Sequence, residues 1–186
     1  MATTLPRSRI SSPGWVFLPA VGAALAHAPV LRGDLMEGLK RPISARLFGA
    51  NKTWRGALVM TGGSVVASSA LRLAPAYRRR LPEPVAAANP AVVGAVIGTA
   101  SWLGELPNSF IKRRLGIAPG TQRRSPVGVM FSVLDQCDWI PTAWLLLRPI
   151  WRMTAAEAVE TAALVLAVHA PINVIGYAIG ARSAPL

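Results

Sequence analysis

Apolar residues along this chain gather into five long stretches, at about 14–31, 56–74, 85–105, 127–147 and 158–180. Each approaches the roughly 20 residues that a helix needs to cross a bilayer. None is uniformly apolar, because glycine, proline, serine and a few ionisable groups interrupt them all. The second stretch carries Gly62, Gly63 and Ser64, and the third carries Gly94 and Gly98. Small residues are common where membrane helices approach closely. Trp15, Trp54, Trp102 and Trp151 fall near stretch ends, where an interfacial aromatic belt would have them. The pattern predicts an all-α integral membrane protein, one domain over 1–186 with about five transmembrane helices.

Composition sharpens that reading. Of 186 residues 52% are hydrophobic and 15% charged, against about 25% charged in ordinary soluble domains. Twenty Lys and Arg face eight Asp and Glu, for a formal charge of +12. Such a balance ordinarily points to nucleic acid, but a mean hydropathy of +0.41 argues against that class. Basic loops against anionic headgroups or a phosphorylated ligand account for both numbers. The single cysteine, Cys137, excludes an intramolecular disulfide framework and a cysteine-based zinc cluster.

Orientation follows from the basic residues between stretches. The first loop (32–55) holds six and the third (106–126) five; with Arg182 that side carries twelve against eight on the other. This predicts both loops and the C-terminus in the cytosol, with the N-terminus outside the cell membrane. Arginines 78–80 of the second loop pull the other way. Arg7 and Arg9 before an apolar run ending in small residues also fit a signal peptide. Cleavage there would expose the six-cation loop outside, so the first span is expected to be retained.

Three clusters carry candidate chemistry: FGANKTWRG (48–56), GELPNSFIKRRLG (104–116), and DQCD (135–138) taken with HAPIN (169–173). A carboxylate near the bilayer centre costs roughly 2.5–3.5 kcal/mol, so Asp135 and Asp138 require partners or a wet cavity. Three residues apart, they share a helical face. At about 1.5 Å per residue, Asp135 lies about 12 Å into the fourth span, and Asn173 and His169 about 10 and 16 Å into the fifth. These polar groups meet at similar depth beneath the two basic loops. Paired carboxylates suit Mg2+, which takes one or two of them with substrate phosphates completing its shell. Lys52, Arg55, Lys112, Arg113 and Arg114 suit a polyphosphate. Metal and cations around phosphate are what phosphoryl and nucleotidyl transfer require. A purely structural alternative has the aspartates neutralising nearby arginines and tying helices together. Glu105 is either a third metal ligand or a partner for a loop arginine, and Ser109 contacts a phosphate or caps the helix. Neither a Gly-rich P-loop nor a His-Glu-x-x-His run occurs.

In order along the chain, FGANKTWRG (48–56), SFIKRRLGIAPG (109–120), LDQCDW (134–139) and HAPINVIGYAIG (169–180) resemble the CDP-archaeol synthase family, membrane cytidylyltransferases related to the CDP-diacylglycerol synthases. The likeness runs from about residue 42 to the end. It implies five transmembrane helices around a cytosol-facing polar cavity, with Mg2+ as cofactor, CTP as nucleotide and a lipid phosphate as acceptor of CMP. By the same resemblance Asp135 and Asp138 hold the metal and join Lys112 as catalytic residues. Lys52, Thr53, Arg55, Ser109, Arg113, Arg114 and Asn173 face the substrates. The stretch ahead of KTWRG reads Gly49-Ala50-Asn51, where the family often has an acidic residue, and Glu105 stands for its aspartate. Rival readings are a phosphatidate cytidylyltransferase making CDP-diacylglycerol, and a non-catalytic membrane protein that binds anionic lipid or a partner through its basic loops.

Overall fold

Residues 12–118 and 126–178 are described by the computed structural model, and they form helices and their connections. In chain order these are α1 (Ser12–Val16), α2 (Leu18–Arg32), α3 (Ala45–Phe48), α4 (Trp54–Leu71), α5 (Pro75–Arg78), α6 (Glu83–Ala87), α7 (Pro90–Arg114), α8 (Pro126–Cys137), α9 (Trp139–Leu147) and α10 (Ala155–Ala178). The all-α expectation holds for the described residues. None of their helices is long and apolar enough to cross a membrane. The physical reason lies in the interruptions. Threonine, glycine and serine dilute α4, basic residues fill the last turn of α7, and the fourth stretch is two helices.

Local chemistry sets the ends. Thr53 caps α4, its hydroxyl accepting from the Gly56 amide at 3.2 Å. Thr154 and Glu157 form a reciprocal capping box at the start of α10. Helix α7 closes with the Ile117 amide reaching back to the Lys112 carbonyl at 2.9 Å, around Gly116 at φ +67°. At the end of α2 the Leu35 amide does the same to Val30, and Asp34 takes the left-handed position at φ 44° that glycine usually fills.

Helix α7 is the central element, packing along α4 and α9, while α4 also packs along α2. Gly94 and Gly98 permit the α7–α4 contact. A Cβ at either would sit 2.5 Å from the α4 backbone, at Ser64 O and Thr61 Cα respectively. Val93, Ile97 and Ala100 meet Ile140, Ala143 and Leu147 of α9 in the buried core.

The fourth stretch, expected over about 127–147, is broken at one residue. It divides at Asp138 into α8 and α9. Pro141 explains the joint: it has no N–H for the Cys137 carbonyl four residues earlier, and its ring crowds that carbonyl.

The second-loop arginines also find structural work. The Arg72 guanidinium donates to the carbonyls of Val85, Ala86 and Ala88, capping α6, and Arg80 stacks over Trp15 at 4.4 Å. The Tyr77 hydroxyl donates to the Trp15 carbonyl at 3.0 Å, and burial pushes its pKa up to about 12. All these lie where α4 ends and α7 begins. The opposite end, where α2 ends, α4 begins and α7 ends, holds the candidate chemistry.

Candidate functional site

Helix α7 presents Glu105, Asn108, Ser109 and Lys112 at spacings of three, four and seven, which is one helical face. Opposite them, the α8–α9 joint supplies Asp135 and Asp138. Gly104 makes that approach possible: a Cβ there would fall 2.4 Å from Trp139 Cα and 3.1 Å from the Asp138 carbonyl oxygen. The two aspartates are therefore brought to α7 by backbone contact at the joint that Pro141 creates.

Their partners come from α7. The Asn108 amide nitrogen donates to Asp135 Oδ1 at 2.7 Å and to Asp138 Oδ2 at 3.0 Å. The Lys112 ammonium donates to both carboxylate oxygens of Asp135 and lies 5.6 Å from the centre of the Phe131 ring. Asp138 Oδ1 is buried and has no hydrogen-bond partner among the described residues.

A second ion pair extends the cluster to the KTWRG segment, where Lys52 pairs with Glu105. The segment is pinned by an antiparallel bridge between Pro42 and Thr53, with the Ile43 amide on the Lys52 carbonyl at 2.8 Å and the Trp54 amide on the Arg41 carbonyl at 3.0 Å. Lys52 is thus aimed at α7 by its backbone.

The structure brings together Lys52, Glu105, Lys112, Asp135 and Asp138. It sends other expected residues elsewhere. Arg55, 5% exposed, donates from Nη1 to Asp34 Oδ1 at 2.6 Å and to the Leu35 carbonyl at 3.1 Å. The Thr53 hydroxyl is spent on capping, and Arg114 stacks on Phe110 at 4.8 Å. Arg113 keeps Nε and Nη1 buried without a partner among the described residues. Ser109 is buried on the α7 face. Asn173 and His169 lie on α10, but their side chains fall outside the described residues, as do Arg123, Arg124 and Arg182.

Two residues were not singled out from sequence. Asn108 was legible through its spacing from Glu105 and Lys112. Asp34 was not, because its partner is 21 residues away with no shared local pattern. Its hydrogen bonds from Arg55, then Lys40, hold its carboxyl below the usual aspartate value.

Chemically, two carboxylates with one buried, unpartnered oxygen fit a hard divalent cation. No group of three or more His, Cys, Asp or Glu side chains is arranged to hold a metal among the described residues. The protein's own donors at such a site are the aspartate pair, with Glu105 engaged by Lys52.

Helical throughout its described residues, with a central helix that clamps an aspartate pair through an asparagine and a lysine, the protein falls by fold and site into one class: a helical bundle with a charge-compensated carboxylate centre. Within that class the assignment is specific. The family model described as CarS-like CDP-archaeol synthase matches residues 14–186, and the chain belongs to that family. It is similar to the CDP-archaeol synthase of Halobacterium salinarum, 33% identical over 178 residues covering 92% of this chain and 93% of that protein. The enzymes of that name from Methanopyrus kandleri (31%, covering 92% and 90%) and Aeropyrum pernix (32%, covering 91% and 88%) are comparable. No solved structure matches.

Proposed function

We propose that this protein is a CTP-dependent cytidylyltransferase that converts a glycerolipid phosphate of the unsaturated archaetidic acid type to its CDP-activated form, releasing pyrophosphate. Family membership supports the activity, and the relatives carry the name CDP-archaeol synthase. The observation that carries the site assignment is the Asn108 bridge between Asp135 and Asp138, with Lys112 on the first of them.

Asp135 and Asp138 would hold Mg2+, which when bound would supply charge neutralisation for the triphosphate and the leaving pyrophosphate. Glu105 is the further carboxylate of the centre. Lys52 and Lys112 reach from two elements toward the phosphates, and Arg113, with buried and unpartnered nitrogens, is available to an anion. An oxygen of the lipid phosphate attacks the α-phosphorus of CTP as the bond to the β-phosphate oxygen breaks. The nucleophile is already ionised at neutral pH, so no general base is required. Thr53 and Ser109 shape the site, and the family resemblance implies Asn173 as a further substrate contact.

The single domain sits in the cell membrane as a multi-pass protein, its N-terminus outside and its polar cavity facing the cytosol. The mean hydropathy of +0.41 supports this reading, as do the large apolar side chains on the surface, among them Leu25, Val66 and Val159, each about 70% exposed.

The test is turnover of labelled CTP by purified protein with Mg2+, offering geranylgeranyl-ether glycerol phosphate and phosphatidic acid side by side. Pyrophosphate and a CDP-lipid from the ether substrate are expected. Product from phosphatidic acid alone would make the protein a CDP-diacylglycerol synthase. No product from either, with folded protein, would overturn the enzyme reading in favour of a lipid-binding protein.

A further inference from the structure

We propose that Lys52 and Lys112 are exchangeable counter-ions: each neutralises a site carboxylate in the ligand-free protein and transfers to nucleotide phosphate when a divalent cation takes its place. The inference rests on the cytidylyltransferase reading and concerns what these two side chains do before and after loading.

The geometry motivates it. Both oxygens of Asp135 are covered, Oδ1 by Asn108 and Lys112, Oδ2 by Lys112. Of the pair, only Asp138 Oδ1 is without a partner among the described residues. Lys112 must therefore leave before Asp135 can serve as a ligand. Three carboxylates face two ammonium groups in the cluster. Adding a divalent cation with both lysines in place would reverse the local charge, which a partly desolvated site resists. Releasing the lysines onto a triphosphate keeps every charge compensated. Lysine suits this, being a compact charge on a flexible four-carbon stem, whereas an arginine fork bound to both oxygens of a carboxylate is held by its geometry. Among the described residues neither lysine has a second partner of opposite charge. The exchange makes cation and nucleotide binding mutually reinforcing, since each removes a cost from the other, and linkage requires the effect to be reciprocal.

The experiment is binding rather than turnover. Mn2+ binding is measured by electron paramagnetic resonance, without nucleotide, on the full chain in detergent for wild type, K112Q and K112R. CTP binding is measured separately at saturating Mn2+ with no lipid acceptor present, so that the exchange can occur without turnover. K112Q is expected to bind Mn2+ about tenfold more tightly than wild type, because Asp135 has lost its competitor. It is expected to bind CTP about tenfold more weakly, because the transferred charge is gone. K112R keeps the charge and can hold both Asp135 oxygens, so it is expected to bind Mn2+ no more tightly than wild type, which separates an electrostatic competitor from a packing effect. K52Q repeats the nucleotide arm at the other ion pair, should K112Q fail to fold. Mn2+ binding by K112Q that is unchanged or weaker overturns the proposal, and so does unchanged CTP binding in both glutamine variants. Failure of the cytidylyltransferase reading is a distinct result: wild type that makes no CDP-lipid, whatever its Mn2+ affinity.

Discussion

Asn108 and Asp138 are joined at 3.0 Å, and the same amide nitrogen reaches Asp135 at 2.7 Å, so one side chain of α7 sets the separation of two carboxylates on the facing helices. Both carboxylates would otherwise repel at close range. A neutral donor holds them together without cancelling the charge that a cation requires. Asn108→Ala leaves Asp138 with no hydrogen-bond donor among the described residues. Removing an orienting partner of this kind typically costs 10- to 100-fold in activity or metal affinity, and a buried acceptor left unmade costs about 1–3 kcal/mol. Turnover of CTP should fall by about that factor, with a lowered melting temperature. Asn108→Asp, which adds a third negative charge in place of the donor, should be worse than alanine on both measures. Wild-type turnover in the alanine variant would remove Asn108 from the site.

Asp135→Asn tests the acidic pair more directly. The replacement preserves volume and can still accept from Lys112, so the protein should fold and elute as wild type. Its net charge at the site is changed by one unit, and the carboxylate expected to hold the cation is gone. Turnover should drop by about two orders of magnitude or more, because charge neutralisation is most of the catalysis in phosphoryl and nucleotidyl transfer. Near-normal turnover in a folded variant would sink the metal assignment for Asp135.

Much of this candidate site is legible in the sequence, and the reasons differ by residue. Asp135 and Asp138 stood out because carboxylates are expensive inside an apolar stretch. Glu105, Asn108, Ser109 and Lys112 share a face by spacing alone, although Asn108 carries no charge to mark it. The division at Asp138 was written in Pro141, but the apolar run over 127–147 masked it. Hydropathy averages over a window, whereas a proline acts on one carbonyl. By sequence Arg55 groups with the phosphate-binding residues, because a cation beside Lys52 looks like another of the same kind. Its burial and its partner Asp34 depend on how the α2–α3 loop folds back over α4, which no local periodicity encodes.

Gly104 offers a test of the packing that delivers the aspartates. The α7 and α9 backbones meet there so closely that a methyl group would lie 2.4 Å from Trp139 Cα. The obstacle is backbone rather than a flexible side-chain end, so the helices must separate. Overpacking of this kind costs about 1–3 kcal/mol. Gly104→Ala should lower the melting temperature by several degrees and reduce turnover by about tenfold or more, since Asp138 moves with the joint. Gly62, which has nothing within 4 Å of its Cβ position, is the control. Gly62→Ala should match wild type or exceed it slightly, because alanine is the better helix former by about 1 kcal/mol. Equal behaviour of the two variants would show that the α7–α9 contact does not position the site.

The Asp34–Arg55 clasp predicts a pH dependence confined to one loop. Arg55 and then Lys40 lower the Asp34 pKa from its ordinary value of 3.8. A depressed carboxylate contributes stability that is complete above the ordinary value and lost as pH falls through the folded one. Acidification should therefore loosen the segment from Gly33 to Leu39 only at pH below about 4, where the carboxylate begins to protonate and Arg55 keeps just the Leu35 carbonyl. Amide hydrogen exchange over that segment, corrected for the intrinsic rate, should be constant from pH 7 to pH 5 and rise below. Asp34→Asn should show the loosened state at neutral pH with no further acid-induced change, because the titrating group is absent. An acid transition that survives in Asp34→Asn would assign the effect to another carboxylate and leave Arg55 free for the phosphate-binding role that the KTWRG likeness implies.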